Sequence, residues 1–180
     1  MLGSGWVRYF GDDHGPKYGF ARAYKLGRYF DLREVSKKLS GGTVICSPSL
    51  LAGREHIEAI LVQAKEYWSR NQFLARNKSI DLLMRATCKR QISEAVSASG
   101  ISNVDRVALF GLIEKAESID ESESTLMSQV GTLKRRDELL LLDSQKVKFL
   151  KKFHGLPNWL ERDQLLSMLR ESSVTLIFSK

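Results

Sequence analysis

The chain is poor in the features from which secreted proteins, membrane proteins and common enzymes are recognised. It holds only two cysteines, Cys46 and Cys88, far apart in 180 residues, and neither has a neighbour spaced for metal binding. A structural disulfide would be out of place in a reducing cytosol, so both are expected as buried thiols that pack as small hydrophobes. The longest apolar runs, such as Leu139 to Leu142, fall far short of the roughly 20 residues that cross a bilayer. No charged, apolar and small-residue succession of the secretory type opens the chain. A cytoplasmic protein with no membrane contact is expected.

The usual catalytic signatures are missing as well. There is no Gly-x-x-x-x-Gly-Lys phosphate loop and no His-Glu-x-x-His zinc helix, and Gly3-Ser4-Gly5 lacks the spacing of a dinucleotide fingerprint. Asp12, Asp13 and His14 are candidate cation ligands, but between Gly11 and Gly15 they have the composition of a turn. His154, beside Gly155, reads as a helix-end histidine favoured by the helix dipole. Neither a cofactor, a metal nor catalysis by this chain is expected.

What the sequence does have is positive charge. The formal net charge is +7, and apolar residues make up 43% of the chain, enough to close the core of one domain spanning 1–180. The cations recur along the sequence, at Arg70, Arg76, Lys78, Arg85, Lys89 and Arg90 and again at Lys146, Lys148, Lys151 and Lys152. That spread predicts a folded basic face rather than a basic arm, and favours nucleic acid or acidic surfaces as partners.

Hydrophobic spacing predicts the elements. Trp6 to Phe10 and Tyr18 to Tyr24 read as a hairpin around the Gly11–Pro16 turn, and Thr43 to Cys46 and Val104 to Ile113 read as further strands. Helices are expected over Asp31 to Leu39, Gly53 to Trp68, Ser79 to Thr87 and Gln91 to Ser99. In the last of these Ile92, Ala95 and Val96 are expected to face inward. Ser118 to Ser124 reads as a solvated loop followed by a brief helix to Val130. Asp143 or Ser144 would cap a basic helix to Phe153, and Asn158 with Glu161 would open a final leucine-lined helix.

Two helix entrances carry polar donors. Gly53-Arg54-Glu55-His56 opens the long helix, where free backbone N–H groups favour an anion and Arg54 and His56 would grip a phosphate or a base. Equally, Gly53 would turn the chain, Arg54 pair with a carboxylate and His56 pack against a loop. Lys89-Arg90-Gln91 opens the other helix, with Arg90 suited to a phosphate and Gln91 to a base edge. Should the two entrances converge, they would form a pocket for an RNA end.

The stretch from Ala52 to Ser102, with its Gly-Arg-Glu-His run and its Lys-Arg-Gln-Ile helix ending at Gly100, resembles the small kinase-binding accessory subunits of the KEOPS complex. That complex makes threonylcarbamoyladenosine in tRNA, and carrying both runs is closer to the archaeal form than to the animal one. The resemblance implies a compact α/β fold with a small mixed β-sheet flanked by helices and no catalytic activity. It also implies binding to the kinase-like ATPase subunit and recruitment of tRNA through its 3′ CCA end. Carried over, Gly53, Arg54, His56, Arg90 and Gln91 are the candidate RNA contacts, with Arg76 and Lys78 as backbone contacts. Trp68 continues the core stripe and is expected to pack. Leu165, Met168 and Leu169, beside Leu166, would bind the kinase-like partner or else close this protein's own core. The alternative is a protein-only adaptor that stabilises that partner without touching RNA. The oligomeric state is left open.

Overall fold

A computed structural model describes residues 6–11, 15–39 and 41–176. Asp12, Asp13 and His14, the candidate cation ligands, and Gly3-Ser4-Gly5 lie outside them. Among the described residues five strands form one sheet: β1 (Trp6–Tyr9), β2 (Tyr18–Phe30), β3 (Thr43–Cys46), β4 (Val104–Ile113) and β5 (Leu133–Arg135). Their order is β1-β2-β4-β3, and β5 pairs with β2 beyond β1, on the same edge. The expected single α/β domain with a small helix-flanked sheet is found. Every strand pairing among the described residues is antiparallel, where a mixed sheet was expected.

Seven helices among the described residues complete the fold: α1 (Arg33–Lys38), α2 (Arg54–Ser69), α3 (Lys78–Thr87), α4 (Ile92–Ala98), α5 (Glu117–Val130), α6 (Ser144–Phe153) and α7 (Arg162–Thr175). No helix among the described residues is long and apolar enough to cross a membrane.

The sheet is covered on both faces, because side chains alternate along each strand. From β4, Ala108, Phe110 and Leu112 pack on α2 and α3 through Ile57, Ile60, Leu61, Ala64 and Leu82. The intervening Val107, Leu109 and Ile113 pack on α1 and α5 through Val35, Ile119 and Leu126. Burial on both faces explains why β4 reads as an unbroken apolar run. A third, smaller cluster joins Leu142 and Leu150 to Leu165 and Leu169 of α7. Trp68 is buried in the main core, as expected.

Gly111 is required where β3 and β4 meet. A Cβ there would lie 2.4 Å from the Gly42 carbonyl oxygen and 2.9 Å from Thr43 Cα, both backbone atoms that cannot move aside.

Four local expectations are corrected. α5 runs from Glu117, so Ser118 to Ser124 is helical: Ser122 sits on the buried stripe between Ile119 and Leu126 and returns its hydroxyl proton to Ser118 O at 2.8 Å. Arg22 holds this helix to the sheet through Glu123 at 2.5 Å. β2 continues past Tyr24 to Phe30, its outer edge completed by β5 and by Asp137, whose carboxylate accepts the Ala23 N–H at 3.0 Å. α7 begins after Glu161, whose N–H is taken by Gln164 Oε1 at 2.9 Å, so Asn158 does not cap it. On α4 only Ala95 is buried; Ile92 and Val96 are exposed.

Candidate nucleic-acid interface

The entrance to α2 is built as a lock. Gly53 takes φ 89° and ψ −178°, a conformation that L side chains rarely adopt. A Cβ at Gly53 would also touch Leu142 Cβ at 3.6 Å, because the segment Leu140–Leu142 lies over this turn. His56 is 0% exposed, and its Nδ1 accepts the Ala52 backbone N–H at 3.1 Å. Accepting at Nδ1 places the imidazole proton on Nε2, which is buried and has no hydrogen-bond partner among the described residues. Burial, with repulsion from His154 once that ring is itself protonated and from Lys146, pushes the His56 pKa down to about 3, so the ring is neutral at physiological pH. Gly53 and His56 are therefore withdrawn from any RNA surface. His56 satisfies the Ala52 N–H just before the helix, and Gly53 turns the chain beneath Leu142.

Arg54 is exposed but locally engaged. Its Nε donates to Glu58 Oε1 at 3.1 Å, its guanidinium lies 5.5 Å from the Trp6 ring, and Arg8 approaches the same Glu58 at 3.8 Å. Arg76 is exposed and makes no ion pair among the described residues. Lys78 opens α3 after the Asn77 cap and rests over Trp68 at 5.3 Å.

Arg90 stands in a different setting. The chain leaves α3 through Cys88 in the left-handed conformation and presents Lys89, Arg90 and Gln91 before α4. Lys89 and Arg90 border a cavity of about 310 Å³ closed by Phe153 and His154 from the end of α6 and by Met168 and Leu169 of α7. Lys89 Nζ is 5.5 Å from the Phe153 ring, and the His154 ring meets that ring edge-on at 4.8 Å. His154 Nε2 is buried and without a partner among the described residues. Burial, reinforced by Lys89, pushes the His154 pKa down to about 4. Two cations at the rim, an aromatic wall and a neutral imidazole inside can together hold a planar base and the phosphate attached to it. Arg54 is not part of this cavity, so the two helix entrances do not build one pocket.

A basic groove on the other side of α6 was not anticipated. Leu142, Val147 and Leu160 floor a cleft of about 1050 Å³ between α6 and α7. Trp159, 74% exposed, stands at its edge with Lys148, Lys152 and Arg162, none of which makes an ion pair among the described residues. Lys151 Nζ donates to Asn158 O at 2.7 Å, which holds the Pro157–Leu160 turn, and with it Trp159, against α6. The lysines were visible in the sequence as a basic helix; the pairing with Trp159 depends on how α6 and α7 pack, which spacing does not reveal.

The trio expected to bind the kinase-like partner divides. Leu165 and Leu169 are buried against Ala52, Leu142 and Leu150 and close this protein's own core, while Met168 remains exposed. Cys46 is buried and Cys88 half-buried, both free, with burial pushing each thiol up to about 12. No group of three or more His, Cys, Asp or Glu side chains among the described residues is arranged to hold a metal ion. No protein-family model matches the chain, and no curated protein matches its sequence.

Proposed function

We propose that this chain is a non-catalytic, KEOPS-type accessory subunit that recruits tRNA through its single-stranded 3′ CCA end for threonylcarbamoyladenosine synthesis in the cytoplasm. The observation that carries this is the Lys89–Arg90 cavity with its Phe153 and His154 wall. An unpaired RNA end offers unstacked bases and phosphates, and aromatic walls with cations at the rim are what grip it. The groove at Trp159 extends the same chemistry along α6. In this role the chain positions a substrate for a separate catalytic subunit and breaks no bond itself. Met168, the exposed member of the expected trio, and Ile92 and Val96, exposed one turn apart on α4, offer apolar surface for the kinase-like ATPase.

The protein-only adaptor is the competing account, and the burial of Gly53 and His56 favours it, since two of the three expected RNA contacts at α2 are structural. Charge reversal separates the two. Lys89→Glu with Arg90→Glu is expected to weaken tRNA binding by about 10-fold or more at moderate salt, and to flatten its salt dependence. Arg54→Glu, already facing Glu58, is expected to cost less. Unchanged affinity in the Lys89/Arg90 variant would leave the adaptor.

A further inference from the structure

Opposite the basic groove, the first turns of α6 wall a separate cavity of about 540 Å³, bounded by the start of β4 and by the turns around Pro48 and Leu139. Lys146 lies on this wall although its residue is only 8% exposed. Its Nζ donates to the Leu139 carbonyl oxygen at 2.6 Å, and no carboxylate lies within ion-pair distance among the described residues. Asp143, the nearest carboxylate along the helix, spends Oδ1 on the Lys146 backbone N–H at 2.7 Å as the cap of α6. Asp105 and Glu138 line the cavity, the former 3.8 Å from Arg106 and the latter paired with Arg136. Buried Cys46 and His56 lie behind the lysine. Burial outweighs the attraction of Asp143 and Cys46 and pushes the Lys146 pKa down to about 8. Roughly one molecule in ten then carries a free amine here at neutral pH, against fewer than about one in a thousand at an ordinary lysine. A buried amine without a counter-charge, on a residue that lines an open cavity and held only by a carbonyl that lines it too, is a nucleophile in waiting.

We propose that Lys146 is an acylation site, at which the cavity admits a small acyl phosphate and the side-chain amine takes its acyl group. Arg106, on the same wall and only loosely paired, supplies the guanidinium for the phosphate, and the Ser47 and Ser49 hydroxyls border the space left for the acyl group. The nitrogen lone pair of neutral Lys146 attacks the acyl carbon and forms the amide N–C bond. The C–O bond to the phosphate breaks, inorganic phosphate leaves with the electron pair, and the amine proton passes to solvent through the cavity. Nothing is oxidised or reduced. The product is a neutral amide that still has one N–H for Leu139 O.

The 180-residue chain incubated with acetyl phosphate, with acetylation measured lysine by lysine by peptide mass spectrometry, tests this. At pH 7.5 Lys146 is expected to react at least about 10-fold faster than Lys148 and Lys152 on the same helix, in keeping with its larger neutral fraction. Its rate is expected to level off above about pH 8, while theirs keeps climbing. Arg106→Gln is expected to slow acetylation of Lys146 by acetyl phosphate but not by acetic anhydride, which has no phosphate to bind. Lys146 reacting no faster than Lys148 and Lys152, or climbing with pH as they do, would overturn the site. Equal slowing with both donors would overturn the role of Arg106.

Discussion

His56 Nδ1 accepts the backbone N–H of Ala52 at 3.1 Å, from a ring with no exposure to solvent. A side chain in the first turn of α2 thus reaches back to a donor just before the helix, as the glutamate of a capping box does, but with a neutral ring that can be buried. His56→Ala removes this bond and leaves a cavity, and is expected to destabilise the fold by about 2–4 kcal/mol. His56→Asn, whose amide oxygen can stand in for Nδ1, is expected to recover part of that loss. Denaturant unfolding of the three proteins checks both. Neither variant, once folded, is expected to change tRNA affinity.

Acid should act through the same ring. The folded pKa of His56, about 3, and that of His154, about 4, both lie below the ordinary histidine value. The unfolded chain therefore binds more protons than the folded one between those values and about 6.5. Their contribution to stability is fully present above about pH 6.5 and is lost progressively as pH falls toward the folded values. The thermal midpoint is expected to drop between pH 6.5 and 4.5, and to drop less in His56→Asn. A midpoint of His56→Asn that falls as steeply as the parent's would contradict the assignment.

Asp81 and Arg85 form an ion pair at 2.7 Å inside α3 with neither side chain exposed. Asp81 also accepts the Leu74 N–H at 2.6 Å, while both terminal nitrogens of Arg85 are buried without a hydrogen-bond partner among the described residues and its guanidinium lies 5.2 Å from the Tyr67 ring. Removing one charge strands the other. Asp81→Asn is expected to cost about 3–5 kcal/mol, whereas Asp81→Leu with Arg85→Met recovers most of it. A double-mutant cycle by chemical unfolding measures the coupling.

Of the three tryptophans, Trp6 and Trp68 are buried and Trp159 is exposed. Quenching of the intrinsic fluorescence by acrylamide therefore reports chiefly on the α6–α7 groove. Bound single-stranded RNA is expected to protect Trp159 from acrylamide, and Trp159→Phe to abolish that change while weakening binding by a few-fold to about 10-fold, the scale of one lost stacking contact. Undiminished quenching at saturating RNA would take the groove out of the RNA surface.

Much of the fold was legible because burial and periodicity agree. β3 and β4 carry continuous β-prone runs, α2 carries one clean apolar stripe, and Asp143 caps α6 where a cap was expected. The first turns of α5 were missed because Ser122 occupies a core position and the ion pairs of Asp120 and Glu123 with Arg22 reach far in sequence. β5 is three residues long, two of them basic, and exists only because β2 offers an edge. At the site, residue type was a poor guide to direction. His56 turns back to the chain, and Ile92 and Val96 turn out, whereas Arg90 stands where a contact residue should. His154 and Trp159 were hidden for a different reason: their surroundings are made by α6 packing on α7, a contact that no local pattern encodes.

Titrating the protein with tRNA that carries or lacks its CCA end, at two salt concentrations, tests the central claim most directly. The account predicts that trimming the CCA end weakens binding by about 10-fold or more, and that Lys89→Glu with Arg90→Glu erases the difference between the two RNAs. Equal affinity for both RNAs, or no binding to either, would contradict it.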